Sequence, residues 1–369
     1  MVIFSKMHQK FFFLLVFVLQ NSIDFSQVQQ NKWISYCEKD RQLFKFMKNA
    51  TCNEIFRKYQ FGESNFVNTF NSLMGDRDIE FVSTRKGKKV VIKRLMDSDD
   101  VENMANEVNF NDVASLKKYF LDESRVGGSY VCHPEKTIKK FYEKLPKDLQ
   151  NEELFWILLN VNAQPLIFRT FSRLWVPQQL ELIGLTSVTE FKGQSLMDFV
   201  NDSFKTRLKI AKLLLEGVLQ LTSDPILEGF RIYLTDLTLD NIVFASETEK
   251  ISFVDLDNVI LVDSHAFKDP KTLHVHEKFE CNGCFAYSIE DVCSAPTSDI
   301  NIFAVCQLLL EDLYENRSKG FLFSAEKGET YPEIWRELQK CVYCKQPNCD
   351  RFKSASILIE IFENVLREL

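Results

Sequence analysis

Apolar and polar positions alternate most clearly in two stretches of the chain. The first, from Ile79 to Leu95, consists of "IEFVST", the polar turn "RKGK" and "KVVIKRL", a pattern that predicts a β-hairpin. The second, from Tyr233 to Asp263, contains two short apolar runs that are separated by a charged turn. It predicts another pair of strands, with acidic residues near their ends.

Longer segments repeat apolar residues at a spacing of three and four positions. This spacing predicts amphipathic helices over 101–120 and 204–221, and a further helix in "TSDINIFAVCQLLLEDLY". Helices are also expected in the C-terminal segment 334–369.

The N-terminus has the layout of a secretory signal peptide. Lys6 and Lys10 precede the apolar run 11–19, and small and polar residues follow it. The run is too short to cross a bilayer, which takes about 20 residues. A buried helix and an uncleaved signal anchor are the alternatives. We therefore expect a protein of the secretory pathway, either secreted or in the Golgi lumen, with no membrane span after signal removal.

The ten cysteines are an even number, as a disulfide framework requires. Cys281 and Cys284 have C-x2-C spacing, as do Cys341 and Cys344, and the two pairs would alternatively form halves of a zinc site. Their separation is far longer than in a zinc ribbon, so disulfides are favoured in an oxidising compartment. Cys306 lies in an apolar helical pattern and would suit a buried thiol.

The composition narrows the class of protein further. The chain has 369 residues, 45% of them hydrophobic, which is enough for a large core in one two-lobed domain or two ordinary domains. A net charge of −7 argues against a nucleic-acid partner. N-x-[ST] sequons start at Asn49, Asn201 and Asn316, which are candidate glycan sites in a secreted chain.

The second stretch carries the candidate chemistry. Asp236 is followed five residues later by Asn241, and Asp255 ends the second apolar run. In a protein kinase, an aspartate so placed orients the acceptor hydroxyl, and an asparagine and a second aspartate hold the metal. Their oxygen atoms suit Mg²⁺, which prefers hard ligands. The alternative is a surface β-hairpin with exposed carboxylates.

A lysine and a glutamate would complete such a site. Lys93 follows the apolar run Val90, Val91, Ile92, as the phosphate-binding lysine of a V-A-I-K strand does. A glutamate on the next helix would pair with it, and Glu102 is the favoured candidate over Glu107. The alternatives are an edge-strand lysine and two solvated glutamates.

Five strings in this order carry a family resemblance: "KVVIKRL", "YLTDLTLDNIVF", "ISFVDLDNVILVD", "CNGC" and "INIFAVCQLLL". With them, the chain resembles the divergent-protein-kinase-domain family, or "deleted in autism" family, of secretory-pathway kinase-like proteins. The resemblance covers most of the chain after about residue 50. It implies a two-lobed, disulfide-stapled protein-kinase-like fold of the α+β class. The expected divisions are a signal peptide at 1–26, a cysteine-containing cap at 27–60, a β-rich N-lobe at 61–190 and a helical C-lobe at 191–369.

The resemblance also implies roles for individual residues. Asp236 would be the catalytic base, and Asn241 and Asp255 would bind Mg²⁺ or Mn²⁺. Lys93 would contact the ATP phosphates and pair with Glu102. The implied reaction is transfer of the ATP γ-phosphate to a hydroxyl of an unknown secreted or luminal protein or glycan.

Other positions depart from the kinase pattern. Leu234 and Thr235 replace the His-Arg pair before the catalytic aspartate, Asp257 replaces the glycine of D-F-G, and only Gly75 lies where a glycine-rich loop is expected. Asp257 would place a second carboxylate toward the metals. Asp299 would brace the catalytic loop. The alternatives are an inactive pseudokinase that acts as a binding module or extracellular ligand, and an enzyme that transfers the nucleotidyl group.

Overall fold

The fold is described from a computed structural model of the chain. The structure describes residues 25–61, 79–122, 128–171, 175–223, 227–269, 271–279, 285–311, 320–324 and 329–369. Several predicted features lie outside these residues, namely most of the signal peptide, Gly75, the Cys281/Cys284 pair and the sequon at Asn316.

Helices and strands alternate along the described residues. The α-helices are α1 (Phe25–Leu43), α2 (Cys52–Phe56), α3 (Ser98–Glu107), α4 (Val113–Phe120), α5 (Pro134–Lys144), α6 (Glu152–Val161), α7 (Gln164–Thr170), α8 (Phe204–Ser223), α9 (Ile289–Val292), α10 (Ile300–Leu310), α11 (Pro332–Tyr343) and α12 (Arg351–Glu368). The strands are β1 (Tyr59–Gln60), β2 (Ile79–Thr84), β3 (Lys89–Arg94), β4 (Tyr130–Val131), β5 (Gln179–Ile183), β6 (Thr186–Glu190), β7 (Gln194–Ser195), β8 (Phe230–Leu234), β9 (Ile242–Ala245), β10 (Lys250–Phe253), β11 (Val259–Asp263), β12 (Leu273–His274) and β13 (Thr297–Ser298).

The chain divides into two compact units. Unit 1 contains the described residues through Asn103 together with Glu181–Thr189, and unit 2 contains those of Met104–Leu180 and Glu190–Leu369. The division therefore assigns α4 to α7 to unit 2, although the predicted N-lobe extends to residue 190. The aromatic core explains this assignment, because Phe141 of α5 packs against Phe230 of β8 with ring centroids 5.9 Å apart.

A five-stranded sheet forms the centre of unit 1, in the order β1-β2-β3-β6-β5. The predicted hairpin is confirmed, since β2 and β3 pair antiparallel with Ile79 opposite Lys93. A glycine is needed in the turn because Gly87 has a positive φ of 79°. Val82, Val90 and Ile92 are buried, which explains why one set of alternating positions in these strands is apolar.

Unit 2 is built around long apolar helices. Helix α8 packs against α10, α12 and β8, and its side chains Leu208, Leu214 and Val218 are fully buried. Smaller sheets flank these helices, with strand orders β10-β9-β7 and β4-β11-β8. The α+β fold with a sheet-rich first unit and a helix-rich second unit is thereby confirmed.

The prediction of one helix over 101–120 was wrong. Helix α3 ends at Glu107 and α4 begins at Val113. The Asp112 carboxylate accepts hydrogen bonds from the amides of Ala114 and Ser115, at 3.2 and 3.3 Å. This N-cap starts a new helix where the apolar spacing alone indicated a continuous one.

Disulfides are confirmed between described cysteines. The pairs are Cys37–Cys52, Cys132–Cys293, Cys306–Cys341 and Cys344–Cys349. Cys306 is therefore not a free thiol, because helix α10 presents it to Cys341 of α11. The zinc alternative loses two of its ligands, since Cys341 and Cys344 are each oxidised with another partner.

One further expectation concerns membranes. Within the part of the chain that the structure describes, no helix combines the length and apolarity that a bilayer span requires.

Candidate functional site

Strand β8 delivers the loop that contains Asp236. Ile232 and Tyr233 of β8 are fully buried, whereas Asp236 is exposed two residues after the strand ends. The buried Tyr233 hydroxyl accepts a hydrogen bond from the Ser298 amide at 2.7 Å, and burial raises the pKa of this hydroxyl well above its usual range. A buried strand thus presents a solvent-accessible carboxylate at its carboxyl end.

The side chain of Asn241 is hydrogen-bonded to Asp236. Its Nδ2 donates to the Asp236 carbonyl at 3.1 Å and to the Asp236 carboxylate at 3.0 Å. Both acceptors require a donor, so they fix the orientation of the amide and turn Oδ1 away from Asp236. No residue in the described ranges donates to this Oδ1. The side chain therefore presents an oxygen ligand beside an ionisable carboxylate.

The β9–β10 hairpin brings the second predicted aspartate to the same place. Ile242 of β9 pairs with Phe253 of β10, and the next amide, that of Val254, donates to the Asn241 carbonyl at 3.0 Å. Asp255 follows immediately and is half-buried. The antiparallel register consequently places Asp255 at the end of the hairpin where Asn241 begins.

A network of hydrogen bonds connects the segment after Asp255 to the Asp236 loop. The carbonyl of Asn258 accepts from both the amide and the hydroxyl of Thr235. The Asn258 side chain donates to the carboxylate of Asp257 at 3.0 Å, and its carbonyl oxygen accepts from the Gly128 amide. Thr235, which replaces the expected arginine, therefore joins the two halves of the site.

Asp257 occupies the position of the glycine in a D-F-G motif, and its backbone conformation is one that an aspartate adopts without strain. It is not among the described non-glycine residues with positive φ, so its backbone needs no glycine. Its side chain is 7% exposed, and its carbonyl accepts from the Ser129 hydroxyl at 3.0 Å. The suggestion that it contributes a second metal-binding carboxylate stays a prediction.

The residue that braces the Asp236 loop is Asn301 rather than Asp299. The amide side chain of Asn301, at the start of α10, accepts from the Leu234 amide at 2.8 Å and donates to the Ile232 carbonyl at 2.8 Å. Asp299 instead accepts from the His276 amide and from Arg351, at 2.7 and 2.8 Å. The prediction for Asp299 was therefore wrong, although it identified the correct end of the helix.

Lys93 lies in unit 1, at the end of β3. It is buried, with 7% of its surface exposed. The adjacent Arg94 makes two hydrogen bonds to the buried Asp40 carboxylate of α1, at 2.6 and 2.7 Å, and Asp40 also accepts from the Leu185 amide. The N-terminal cap thus fixes the strand that carries Lys93 through a fully buried, bidentate ion pair.

Glu102 has a different partner. Its carboxylate lies 3.7 Å from the ammonium group of Lys39, and both side chains are largely exposed. A pair between Lys93 and Glu102 would compete with this contact, and it stays a prediction. Helical spacing does not distinguish Glu102 from Glu107, because both are exposed residues of α3.

A comparison with protein families shows which family contains this chain. A family model described as the protein-kinase domain of FAM69 matches residues 155–344, more than half of the chain. The chain belongs to the FAM69 protein-kinase family. The matched range includes Asp236, Asn241 and Asp255, whereas Lys93 and Glu102 of unit 1 lie outside it.

Curated relatives agree with the FAM69 assignment. The chain is 29% identical over 178 residues to "Divergent protein kinase domain 2A" of Xenopus tropicalis and, with the same identity and length, to that of Homo sapiens. The aligned part is 45% of this chain and only 41% of each relative. The predicted resemblance to divergent protein kinases is confirmed.

A solved structure, "Structure of vaccinia related kinase 3", was also found. It shares 13% sequence identity, with a TM-score of 0.35, over 79% of this chain and 83% of that one.

Two residues of this FAM69 site were not found from sequence. Asn301 is a single polar residue within the apolar run "INIFAVC", which was a usable signal. Gln164, at the start of α7, is 2% exposed and its side chain accepts from the Leu256 amide at 3.2 Å. The sequence around Gln164 contains no comparable signal, because its partner lies 92 residues away.

The donor atoms of the site fit a hard divalent cation. Asn241 offers an amide oxygen and Asp255 a carboxylate, both of which Mg²⁺ and Mn²⁺ accept. Among the described residues, no three His, Cys, Asp or Glu side chains form a metal cluster. Mg²⁺ is often held by only one or two protein ligands, with water and substrate phosphate as the others. A cation at this site would be bound in that way.

Proposed function

We propose that this chain is a metal-dependent phosphotransferase that moves the γ-phosphate of ATP to a hydroxyl of a protein or glycan. The observation that carries the proposal is the bonding of Asn241 to both the carbonyl and the carboxylate of Asp236, which leaves the Asn241 Oδ1 available as a ligand.

Each residue has a specific task in the proposed reaction. Asp236 accepts a hydrogen bond from the acceptor hydroxyl and orients it, and takes its proton as the phosphoryl group transfers. Asn241 holds Asp236 in place, and Lys93 offsets the negative charge of the phosphates. A cation held by Asn241 and Asp255 would supply further charge neutralisation.

The proposed compartment is the secretory pathway, in the Golgi lumen or outside the cell. Disulfides persist in oxidising compartments, and the described cysteines are all paired. Asn201, which starts one of the sequons, is exposed and accessible to glycosylation, and Asn49 of a second sequon is exposed as well.

A pseudokinase is the second candidate, and the position of Glu102 favours it. An active kinase needs its strand lysine paired with a helix glutamate, whereas Glu102 contacts Lys39 here. In that case the chain would act as a binding module or extracellular ligand, with Asp236 and Asp255 as scaffold residues.

ATP binding separates these candidates. We expect ATP with Mg²⁺ or Mn²⁺ to stabilise the purified, disulfide-bonded protein, because a ligand at a hundredfold its Kd adds about 2.7 kcal/mol to the free energy of unfolding. Asp255→Ala should abolish this gain. Asp198→Ala, which removes an exposed carboxylate from another part of unit 2, should retain it.

Product analysis then identifies the reaction. Incubation with ATP labelled in the γ-phosphate should transfer label to a hydroxyl-bearing acceptor, whereas label that transfers only from the α-phosphate would indicate nucleotidyl transfer. If neither metal allows ATP to stabilise the wild-type protein, the enzyme proposal fails and the pseudokinase without nucleotide is favoured.

A further inference from the structure

The turn between β2 and β3 carries a dense group of cations. Four of the five residues from Arg85 to Lys89 are basic, and all five are exposed. The sequence contains no aspartate or glutamate between Thr84 and Leu95. This basic turn, residues 85–89, is not used by the proposed phosphotransfer site.

Hydrogen bonds hold the basic turn in one conformation. The Thr84 amide donates to the Lys88 carbonyl at 2.8 Å, and the Gly87 amide donates to the Thr84 carbonyl at 2.8 Å. The Thr84 hydroxyl accepts from the Lys88 amide at 3.1 Å. A Cβ atom added at Gly87 would meet no atom within 4 Å, so the tip is open to solvent. The cations are therefore presented on a short, fixed scaffold.

A second basic segment lies against this turn. The Arg85 amide donates to the Lys58 carbonyl at 3.2 Å, and its guanidinium Nε donates to the Arg57 carbonyl at 3.1 Å. Arg57 is exposed, so it adds a fifth cation to the surface. Lys58 forms an ion pair with Glu181, at 2.6 Å. Arg57 and the basic turn together form a surface that we call the basic patch.

The local charge of the basic patch opposes the charge of the whole chain. The protein has a net charge of −7, so its long-range field repels anions. A concentrated group of five cations in such a protein provides local electrostatic attraction for a polyanion with closely spaced charges. Arginine adds geometric selectivity, since its fork of donors matches planar or tetrahedral oxyanions.

We propose that the basic patch binds a sulfated polysaccharide. The disulfides indicate an oxidising compartment, where the polyanions that a protein meets include sulfated glycans rather than nucleic acids. Sulfate groups remain ionised at every physiological pH and are spaced along a flexible chain, which allows several cations of the turn to bind at once. This proposal is independent of whether the chain transfers phosphate.

The test uses heparin as the probe and the full-length, disulfide-bonded protein. We expect wild-type protein to bind immobilised heparin with an affinity that falls as salt is added, because the contacts are ionic. The double variant Lys86→Gln/Lys88→Gln should bind at least about tenfold more weakly, since each cation near an anionic surface contributes substantially. Its melting temperature should match that of the wild type.

A charge-matched control separates the basic patch from net charge. Lys136→Gln/Lys139→Gln removes two exposed lysines of α5 and should leave heparin affinity unchanged. Equal loss in both double variants, or no heparin binding by the wild type at physiological salt, would overturn the proposal. Tighter binding to double-stranded DNA or to phosphatidylserine vesicles than to heparin would overturn the assignment of the partner as a glycan. Loss of affinity for desulfated heparin would support sulfate recognition.

Discussion

Asn301 shows how one amide side chain orders a functional loop. It is fully buried at the start of α10, and its amide donates to Thr222 Oγ1 at 3.1 Å as well as to the Ile232 carbonyl. It also accepts from the Leu234 amide, two residues before Asp236. The backbone that leads into Asp236 is therefore held by a residue that lies outside the proposed substrate and metal sites.

Truncation of this side chain should be costly. In Asn301→Ala, a buried amide and a buried carbonyl of β8 lose their partners, so we expect the free energy of unfolding to fall by about 2–4 kcal/mol. Urea denaturation measures this change. Asn364→Ala, which changes an exposed asparagine of α12, should alter it by less than about 0.5 kcal/mol. Similar values for the two variants would contradict the bracing role.

Sequence predicted some of these residues for a clear physical reason. Asp236 and Asn241 are five positions apart, so one loop determines their contact and a local pattern is enough to reveal it. The partners of Asn301 lie 67 to 79 positions away. No local spacing records such contacts, and they become visible only when the helix and strand are packed together.

At the scale of elements, the segment after β12 is held against α10 and α12. His276 is 2% exposed, and its ring lies 4.5 Å from that of Phe303 in α10. Its backbone carbonyl accepts from Arg351 of α12 at 2.6 Å. Burial lowers the pKa of the His276 imidazole to about 4, and the nearby positive charge of Arg351 adds to this effect. His276 Nε2 has no hydrogen-bond partner among the described residues.

This imidazole should make stability depend on pH. Because its ordinary pKa is 6.5 and its folded pKa is about 4, the unfolded chain binds a proton between these values that the folded chain does not. Stability is therefore complete above pH 6.5 and falls as the pH decreases toward 4. We expect His276 to account for about 3 kcal/mol of the loss between about pH 7 and pH 4.

Comparison with His276→Phe isolates this contribution. The variant places an apolar ring beside Phe303 and Phe285 and has no group to protonate, so its free energy of unfolding should fall less over this pH range. Urea denaturation at both ends of the range measures the difference. His265→Gln, at an exposed position, serves as the control and should behave like the wild type. An equal fall in wild type and His276→Phe would contradict the assignment.

Helices and strands could be predicted where the sequence pattern that marks them lies within one short stretch. The β2–β3 hairpin was found because alternation and a glycine turn occur within one short stretch. The break between α3 and α4 was missed, since the capping carboxylate of Asp112 interrupts the helix without interrupting the apolar spacing. Polar capping residues decide helix ends, whereas apolar periodicity decides only which face is buried.

At the scale of the whole molecule, the fold could be predicted from the sequence, whereas the disulfide pairing could not. The FAM69 match covers residues 155–344 and thus mainly unit 2. The motifs predicted this kinase-like α+β fold because several occur in a fixed order. They did not predict cysteine pairing, since the cysteines of Cys132–Cys293 are 161 positions apart and those of Cys306–Cys341 are 35 apart.

The contribution of each disulfide should follow the length of chain that it closes. A cross-link removes more conformational freedom from the unfolded chain when its loop is longer. Replacing both cysteines of Cys132–Cys293, separated by 161 residues, should lower the free energy of unfolding by about 5 kcal/mol, against about 2 kcal/mol for Cys344–Cys349, separated by 5 residues. Double Cys→Ala variants, compared by urea denaturation without reductant, measure both values. If loss of the short-loop disulfide is the more damaging, packing around Cys344–Cys349 rather than chain entropy governs the contribution of these cross-links.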